Sequence, residues 1–201
     1  MSTIIALVRH GETDWNALGR FQGSSDTPLN ELGRQQAASG VGYLRDYATK
    51  HGFTWDLLRF SPLQRAGLTG QILANALEVN ERRTQCALAE RDWGGAEGRT
   101  IDEIYAAYPF LPNEELIMRD SIPGAEPREL VTARGLFAMN SLASQYPGKH
   151  IIAASHGTLL RCALIGATGR DVGPIPNVGT IIVNVCLDDG LKVEILDKNF
   201  D

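Results

Sequence analysis

Strand-like and helix-like segments alternate along this chain. Segments typical of strands lie at residues 4–8, 55–60, 83–87, 150–155, 180–187 and 191–196. Apolar spacing and capping signals predict helices at residues 31–51, 62–80, 101–108, 128–146 and 158–168. Residues 188–190 are typical of a hairpin turn between the last two strands. This order predicts an α/β fold with a mostly parallel central sheet that helices cover on both faces.

Local signals also mark where the helices begin and end. Asn30 is a typical N-cap residue for the helix at 31–51, and Gly52 follows the last residue of that helix. The sequence Ser61-Pro62-Leu63-Gln64 has the capping-box pattern, with proline at the first helical position. We therefore expect Arg65 one turn inside a helix that begins at the carboxyl end of a strand.

Composition narrows the class of protein. The length of 201 residues suits one domain, 1–201, and the hydrophobic fraction of 43% and charged fraction of 21% are ordinary. No apolar run approaches the roughly 18 residues of a membrane span, and the first residues are typical of a strand instead of a signal peptide. We therefore expect a cytoplasmic protein without a membrane partner. A net charge of −5 also argues against a nucleic-acid partner, so any anion site must be local.

The cysteines indicate the redox compartment. Cys86, Cys162 and Cys186 are odd in number, far apart and without a Cys-x-x-Cys pair. This usage is typical of reduced thiols in a cytosolic protein. Because each cysteine has apolar neighbours in the sequence, we expect all three to be buried and inert.

Two predicted strand ends carry the candidate chemistry. His10 and His156 each lie at the carboxyl end of a predicted strand, and a glycine follows each of them. The carboxyl ends of parallel strands lie at one edge of a sheet, so we expect the two imidazoles to meet there. Arg9 and Arg65 reach the same edge, and Asn16 lies in the first loop. Such a cationic group in an acidic protein needs an anionic partner, and phosphate fits arginine forks and helix amino termini best.

The residues around His10 resemble a known family signature. Leu-Val-Arg-His-Gly-Glu-Thr-Asp-Trp-Asn at 7–16 is similar to that of the histidine phosphatase superfamily, which has the phosphoglycerate-mutase-like fold. Further blocks in the family's order are Arg20-Phe21-Gln22-Gly23, Asp26-Thr27-Pro28-Leu29, Ser61-Pro62-Leu63-Gln64-Arg65-Ala66, Leu88-Ala89-Glu90 with Glu97-Gly98, and Ala154-Ser155-His156-Gly157. The resemblance therefore covers most of the chain.

This resemblance implies a three-layer αβα sandwich and a catalytic phosphohistidine. His10 would become phosphorylated, and Glu90 would donate the proton to the leaving group. The residues that would hold the transferring group are Arg9, Asn16, Arg65 and His156. A neutral imidazole is a competent nucleophile near neutral pH. The arginines and the second histidine would stabilise the transferring charge, so the resemblance implies neither a metal nor another cofactor.

Some of these residues have alternative roles. Glu90 is either the proton donor or a loop carboxylate paired with Arg91, in which case Glu97 or Asp92 would be the acid. Asn16 is either a ligand residue or a turn cap, because asparagine often bonds its own backbone.

Other residues of the matching blocks are candidates for binding the rest of a small phosphorylated substrate. We assign substrate contacts also to Gln22, Gly23, Arg91 and Gly157. Residues that serve either the substrate or the ordinary surface are Arg20, Gln22, Arg91, Trp93 and Arg119. His51 and His150 are expected instead at the surface or at helix ends.

The insert, at approximately 88–127, bears on the choice between two activities of this family. The mutases similar to this chain have a longer, more basic insert and a carboxyl-terminal tail that shields the phosphohistidine from water. Here residues 109–127 are acidic at 113–115, contain Arg119 as their only cation, and are expected to lie over the carboxyl edge of the sheet as a lid. The chain also ends soon after Leu196. We therefore expect water to reach the intermediate, which predicts a phosphatase.

Two other functions remain as alternatives. Phosphoglycerate mutase is one, because Glu90-Arg91 resembles the mutase pattern, and a noncatalytic phospholigand-binding module is the other. Residues 123–127 depart from the family's usual Pro-Gly-Gly-Glu-Ser, and we assign Glu126 no part in the chemistry. The terminal hairpin offers an edge strand for a homodimer.

Overall fold

A mixed sheet of six strands organises the fold. The computed structural model describes residues 2–109 and 120–200. Its strands are β1 (Ser2–Arg9), β2 (Leu57–Phe60), β3 (Glu81–Thr84), β4 (His150–Ser155), β5 (Thr180–Cys186) and β6 (Lys192–Lys198). In the order β3-β2-β4-β1-β5-β6, the first four strands pair in parallel, whereas β5 pairs antiparallel with both β1 and β6. The mostly parallel sheet with a terminal hairpin is thus confirmed.

The helices are α1 (Asp14–Ala17), α2 (Glu31–His51), α3 (Gln64–Ala76), α4 (Ile101–Ala107), α5 (Arg128–Gln145) and α6 (Gly157–Thr168). The helices from α2 onward follow the predicted order, whereas the short helix α1 was not predicted. The predicted ends of α2 are confirmed, because the Asn30 side chain accepts a hydrogen bond from the Gly33 amide at 2.8 Å. Gly52 then ends this helix in the left-handed conformation, with a φ of 72°.

Alternate residues of the central strands face two separate apolar cores. In β1, Ile5 and Leu7 belong to the core formed with α5 and α6. Ala6 and Val8 belong to the opposite core, formed with α2 and α3. This twofold period is what a strand buried on both faces requires. The predicted three-layer αβα sandwich is therefore confirmed.

The start of α3 differs from the prediction. The helix begins at Gln64 instead of Pro62, and its N-cap residue Leu63 has no side-chain cap hydrogen bond. The Ser61 hydroxyl, predicted as the cap, instead accepts from the Leu63 amide at 3.2 Å and bonds the ring of His156 at 2.7 Å. The capping-box interpretation is wrong because a distant imidazole uses this hydroxyl.

The segment after β2 also needs correction. Residues 83–87 are not one strand, because β3 ends at Thr84 and Cys86 begins a short 3₁₀ helix, Cys86–Leu88. Cys86 is exposed, Cys186 is half-buried, and Cys162 is buried. The expectation of three buried cysteines is therefore wrong for two of them. Their positions explain this, because Cys86 follows an edge strand and Cys186 ends β5 at the hairpin.

The insert has a small core of its own. Trp93, Ala96, Ile104 and Ile122 are buried together, and Phe21 packs against them. The predicted acidic stretch at 113–115 and the cation Arg119 lie outside the described residues, as does much of the expected lid. Within residues 2–109 and 120–200, the helices lack the combination of length and hydrophobicity that a bilayer crossing requires.

Candidate active site

The two predicted imidazoles meet at the carboxyl edge of the sheet. β1 and β4 pair in parallel with Arg9 opposite Ser155, so the next residues, His10 and His156, lie side by side. Their ring centroids are 5.2 Å apart, and the ring planes are inclined by 60°. Both side chains are buried, with His10 3% exposed and His156 0% exposed.

The chain turns sharply after His10. A Cβ atom at Gly11 would lie 2.3 Å from the carbonyl oxygen of Gly33 in α2. The glycine is therefore required because the first turn of α2 packs directly against the backbone here.

His10 has a defined tautomer. Its Nδ1 lies 2.6 Å from the carbonyl oxygen of Gly11. Because a carbonyl oxygen only accepts, we assign the proton to Nδ1, which leaves a lone pair on Nε2. Burial, followed by the charges of Arg9 and Arg65, holds the pKa of His10 well below its ordinary value of 6.5. His10 is therefore a neutral imidazole at neutral pH, as a nucleophile must be.

His156 offers a hydrogen-bond donor beside His10. Its Nε2 lies 2.7 Å from the Ser61 hydroxyl, which also accepts from the Leu63 amide at 3.2 Å. When the Ser61 hydroxyl donates to Nε2 of His156 and accepts from the Leu63 amide, each of these hydrogen bonds has one donor and one acceptor. The ring proton of His156 then lies on Nδ1. Burial, followed by the charges of Arg65, His10 and Arg9, holds the pKa of His156 well below 6.5. Nδ1 of His156 is buried without a partner in the described part of the chain.

Two buried guanidinium groups complete the cationic site. Arg9 donates from Nη1 to the Ile175 carbonyl at 2.6 Å. Arg65 donates to the carbonyls of Ser25 at 2.7 Å and Gly23 at 2.8 Å. Within residues 2–109 and 120–200, neither arginine forms a salt bridge, and Nε of each is buried without a partner. Because carbonyl oxygens orient these cations without neutralising them, the site favours an anion.

Glu90 reaches the same site through the start of α6. Its carboxylate accepts from the amides of Leu159 at 3.0 Å and Thr158 at 3.2 Å, and from the Arg91 amide at 2.8 Å. These three bonds use backbone amides, and the one from Arg91 comes from its main chain. Glu90 also lines the cavity beside His10.

The alternative acids have other contacts. Glu97 accepts from the amides and hydroxyls of Ser24 and Ser25 and from the Trp93 amide. Burial raises the pKa of Glu97, but these hydrogen bonds outweigh burial and leave it lowered. Asp92 is exposed and accepts from the Gly94 amide at 2.7 Å. Neither carboxylate lines the cavity that Glu90 and His10 share.

One cavity unites most of the predicted residues. Its volume is about 260 Å³, and it opens at the carboxyl edge of the sheet. Its lining residues are Arg9, His10, Asn16, Gly19, Arg20, Phe21, Gln22, Gly23, Arg65, Glu90, Trp93 and Thr158. Seven residues of the predicted site are therefore in this lining, and His156 lies behind His10.

Two predicted substrate residues occupy other positions. The Arg91 side chain is 0% exposed and binds Asp120 at 3.0 Å, while its guanidinium lies 4.4 Å from the ring centroid of Trp93. Arg91 therefore lies under the cavity instead of in its lining. Gly157 begins α6, where a Cβ atom would lie 3.4 Å from Cδ of Arg9. Gly157 thus contacts the arginine that lines the cavity.

Asn16 is a turn cap and also lines the cavity. Its Oδ1 accepts from the Thr13 amide at 3.2 Å, and Thr13 Oγ1 accepts from the Asn16 amide at 3.1 Å, which together form the capping box of α1. Asn177 also donates to Oδ1 of Asn16, at 3.3 Å. Because Asn16 lines the cavity, the part of its amide that remains for a ligand is the NH₂ donor.

Sequence reasoning missed three groups that support the site. Ser61 binds His156, the Ile175 carbonyl binds Arg9, and Asn177 donates to the His10 carbonyl at 3.1 Å. The residues around Ser61 do form a recognisable pattern, but that pattern indicates a helix cap and not a bond to His156. Nothing in the local pattern marks Asn177 or Ile175, because their contacts span more than 160 residues.

The other two histidines, His51 and His150, lie outside the cavity lining. His51 is exposed at the end of α2, so its surface prediction is confirmed. His150 is only half-buried at the start of β4 and stacks on Phe53, with ring centroids 3.8 Å apart, so the prediction holds for it in part. Among the residues that the structure describes, no three His, Cys, Asp or Glu side chains form a metal-binding group.

Comparisons with known proteins identify the family. A family model described as the histidine phosphatase superfamily (branch 1) matches residues 5–188. The uncharacterized phosphatase PhoE of Bacillus subtilis is 34% identical over 93% of this chain and 87% of that protein. A 2,3-bisphosphoglycerate-dependent phosphoglycerate mutase of Sinorhizobium fredii is 32% identical over 80% of this chain and 77% of that protein.

A solved structure shows the same fold. The mycobacterial glucosyl-3-phosphoglycerate phosphatase, in complex with VO3, superposes with a TM-score of 0.83 over 98% of this chain and 99% of that chain. At 24% identity, this likeness supports the fold alone. The family match over nearly the whole chain and the two relatives above 30% identity carry the assignment: this chain belongs to the histidine phosphatase superfamily.

Proposed function

We propose that this protein hydrolyses small phosphate monoesters through a phosphohistidine on His10. The observation that carries this proposal is the pair of buried neutral imidazoles beside two guanidiniums that form no salt bridge among the described residues. The unpartnered Nε atoms of Arg9 and Arg65 and Nδ1 of His156 are donors suited to phosphate oxygens. A cavity of about 260 Å³ suits a small ester, since pockets for drug-sized ligands hold roughly 300–1,000 Å³.

The first step transfers the phosphoryl group. Nε2 of His10 attacks phosphorus, the bond between phosphorus and the ester oxygen breaks, and Glu90 gives its proton to the leaving alkoxide. The Gly11 carbonyl, 2.6 Å from Nδ1, stabilises the positive charge that develops on the ring. Arg9, Arg65 and His156 stabilise the transferring oxygens.

The second step releases phosphate. Water attacks phosphorus, the bond between phosphorus and Nε2 breaks, and Glu90 accepts the proton of the water. This returns His10 to its neutral form and Glu90 to its acid form. None of the described residues from 180 to 200 lines the cavity, because that part of the chain forms β5, the edge strand β6 and the hairpin between them. This supports hydrolysis over a shielded intermediate.

Mutase activity is the second candidate. The 32% identity to a phosphoglycerate mutase favours it, and so does the Glu90-Arg91 pair. It would appear as interconversion of 2- and 3-phosphoglycerate that depends on the bisphosphate, with little release of inorganic phosphate.

The test measures phosphate release from p-nitrophenyl phosphate at mildly acidic pH. We expect turnover by the wild type, loss of turnover in His10→Ala, and no effect of EDTA. His51→Ala, an exposed histidine, is the matched control and should retain full activity. Rapid acid-labile labelling on His10 should accompany turnover. Full activity in His10→Ala would refute the proposal, and saturable vanadate binding without turnover would favour a binding module.

A panel of phosphorylated metabolites then defines the substrate. The same His10→Ala protein serves as the blank for each compound. We expect hydrolysis of small esters and weak activity on bulky ones, because the cavity is small.

A further inference from the structure

Arg134 of α5 binds the backbone that leads into Glu90. Its Nη1 donates to the carbonyls of Ala89 at 2.6 Å and Ala87 at 3.1 Å, and its Nη2 lies 3.3 Å from the Glu90 carbonyl. One guanidinium therefore contacts three carbonyls within four consecutive residues. Such a fork fixes both the position and the orientation of a loop.

Glu126 fixes the same guanidinium from the other side. Its carboxylate accepts from Nη2 of Arg134 at 2.8 Å and from Nε at 3.1 Å. Its backbone also joins the segment after Glu90, because its amide donates to the Asp92 carbonyl and its carbonyl accepts from Nε of Arg91, both at 2.8 Å. Every polar group of Glu126 thus binds Arg134 or one of the two residues that follow Glu90, Arg91 and Asp92.

These contacts hold both the side chain and the main chain of Glu90. Its side chain accepts from amides at the start of α6, and its main chain is tied to α5 through Arg134. Both helices pack in one apolar core against the sheet, so they form a rigid frame. Arg134 and Glu126 are each about one-fifth exposed and lie outside the cavity lining.

We infer that Arg134 and Glu126 form a clamp that positions the Glu90 carboxyl for proton transfer. The inference rests on the proposed function, in which Glu90 is the acid. The clamp touches neither substrate nor phosphate, so its two members are positioning residues. The sequence assigns Glu126 no part in the chemistry. The clamp gives Glu126 a positioning role, without contact with the reacting atoms.

A positioning role for an acid has a specific kinetic signature. A poor alkoxide leaving group needs the proton, whereas p-nitrophenolate leaves with little help. Damage to the clamp should therefore lower kcat/KM for an alkyl phosphate far more than kcat/KM for p-nitrophenyl phosphate. We expect a loss of roughly ten- to hundredfold for the alkyl ester, since small displacements of catalytic groups have effects of that size. The ratio kcat/KM is the correct parameter because it reports the steps through cleavage of the ester bond.

The experiment compares five variants with the wild type. Glu126→Gln removes the carboxylate, and Arg134→Lys keeps the positive charge but loses the fork. Asp171→Asn is the matched control, because Asp171 binds Arg161 through two bonds of 2.7 Å elsewhere in the fold. A Glu90→Gln protein with and without Glu126→Gln tests whether the clamp acts through Glu90.

The outcomes separate the clamp from the proposed function. We expect selective loss on the alkyl ester in Glu126→Gln and Arg134→Lys, little change in Asp171→Asn, and no further loss when Glu126→Gln is added to Glu90→Gln. Equal losses on both esters, no loss, or an additive loss in the double variant would overturn the clamp while leaving the phosphatase intact. A wild type that hydrolyses neither ester would overturn the proposed function and the clamp with it.

Discussion

The two buried imidazoles predict a steep loss of stability in mild acid. In the folded protein, burial holds the pKa of both His10 and His156 well below 6.5, with Arg9 and Arg65 adding to the effect. In the unfolded chain both rings titrate near their ordinary value, about 6.5. Below that pH the unfolded state binds more protons than the folded state. Stability is therefore fully present above pH 6.5 and is lost as the pH falls below it.

The expected size follows from this difference in protonation. Each imidazole that stays neutral in the fold contributes a slope of about 1.4 kcal/mol per pH unit, so the pair contributes about 2.7 kcal/mol per unit. Between pH 7 and pH 5 the two together should lower the free energy of unfolding by roughly 4 kcal/mol. That is a large part of the roughly 5–15 kcal/mol that stabilises a typical domain.

Urea unfolding at pH 7, 6 and 5 in phosphate-free buffer measures this slope. Phosphate must be absent because an anion bound only to the folded state would add its own linkage. His10→Gln and His156→Gln should each remove about half of the difference between pH 7 and pH 5. His51→Gln, at the exposed end of α2, should leave it unchanged. An equal slope in the wild type and in the His10→Gln, His156→Gln double variant would refute the reasoning.

Two further substitutions test the frame around the site. Ser61→Ala removes the hydroxyl that sets the tautomer of His156, so kcat/KM should fall about tenfold, as expected for one lost hydrogen bond of about 1.4 kcal/mol. Steady-state kinetics would contradict this if the variant matched the wild type. Gly23→Ala should destabilise the protein by several kcal/mol, because φ is +56° and the new Cβ would lie 1.9 Å from Oε1 of Glu97. Gly19→Ala has a similar φ of +64° but open space, and should cost only about 1 kcal/mol by urea unfolding. Equal losses in the two alanine variants would show that the Glu97 contact carries no strain.

The sequence predicted those features that arise from neighbouring residues. The apolar run before His10, the helix at 31–51 and its end at Gly52 all depend on local spacing, and the structure confirms each of them. The meeting of His10 with His156 was also predictable, because parallel strands bring their carboxyl ends to one edge. Local pattern and one rule of topology were enough for this part of the site.

The errors fall where one polar group has both a near and a distant partner. The sequence around Ser61 indicates a helix cap, but its hydroxyl binds His156, 95 residues away. Arg91 was expected to serve either the substrate or the ordinary surface, and its guanidinium is instead buried against Trp93 and Asp120, which excludes the surface role. In both cases the burial of a polar group required a partner, and only the packed fold decided which one.

The sequence by itself therefore determined the order of the elements, the sandwich architecture and the principal chemical groups of the site. The tertiary structure alone decided their protonation, their orientation and the supports behind them, including the fork of Arg134 on the backbone of Glu90. The physical reason is that periodicity and capping are local, whereas desolvation and buried hydrogen bonds depend on residues far apart in the chain.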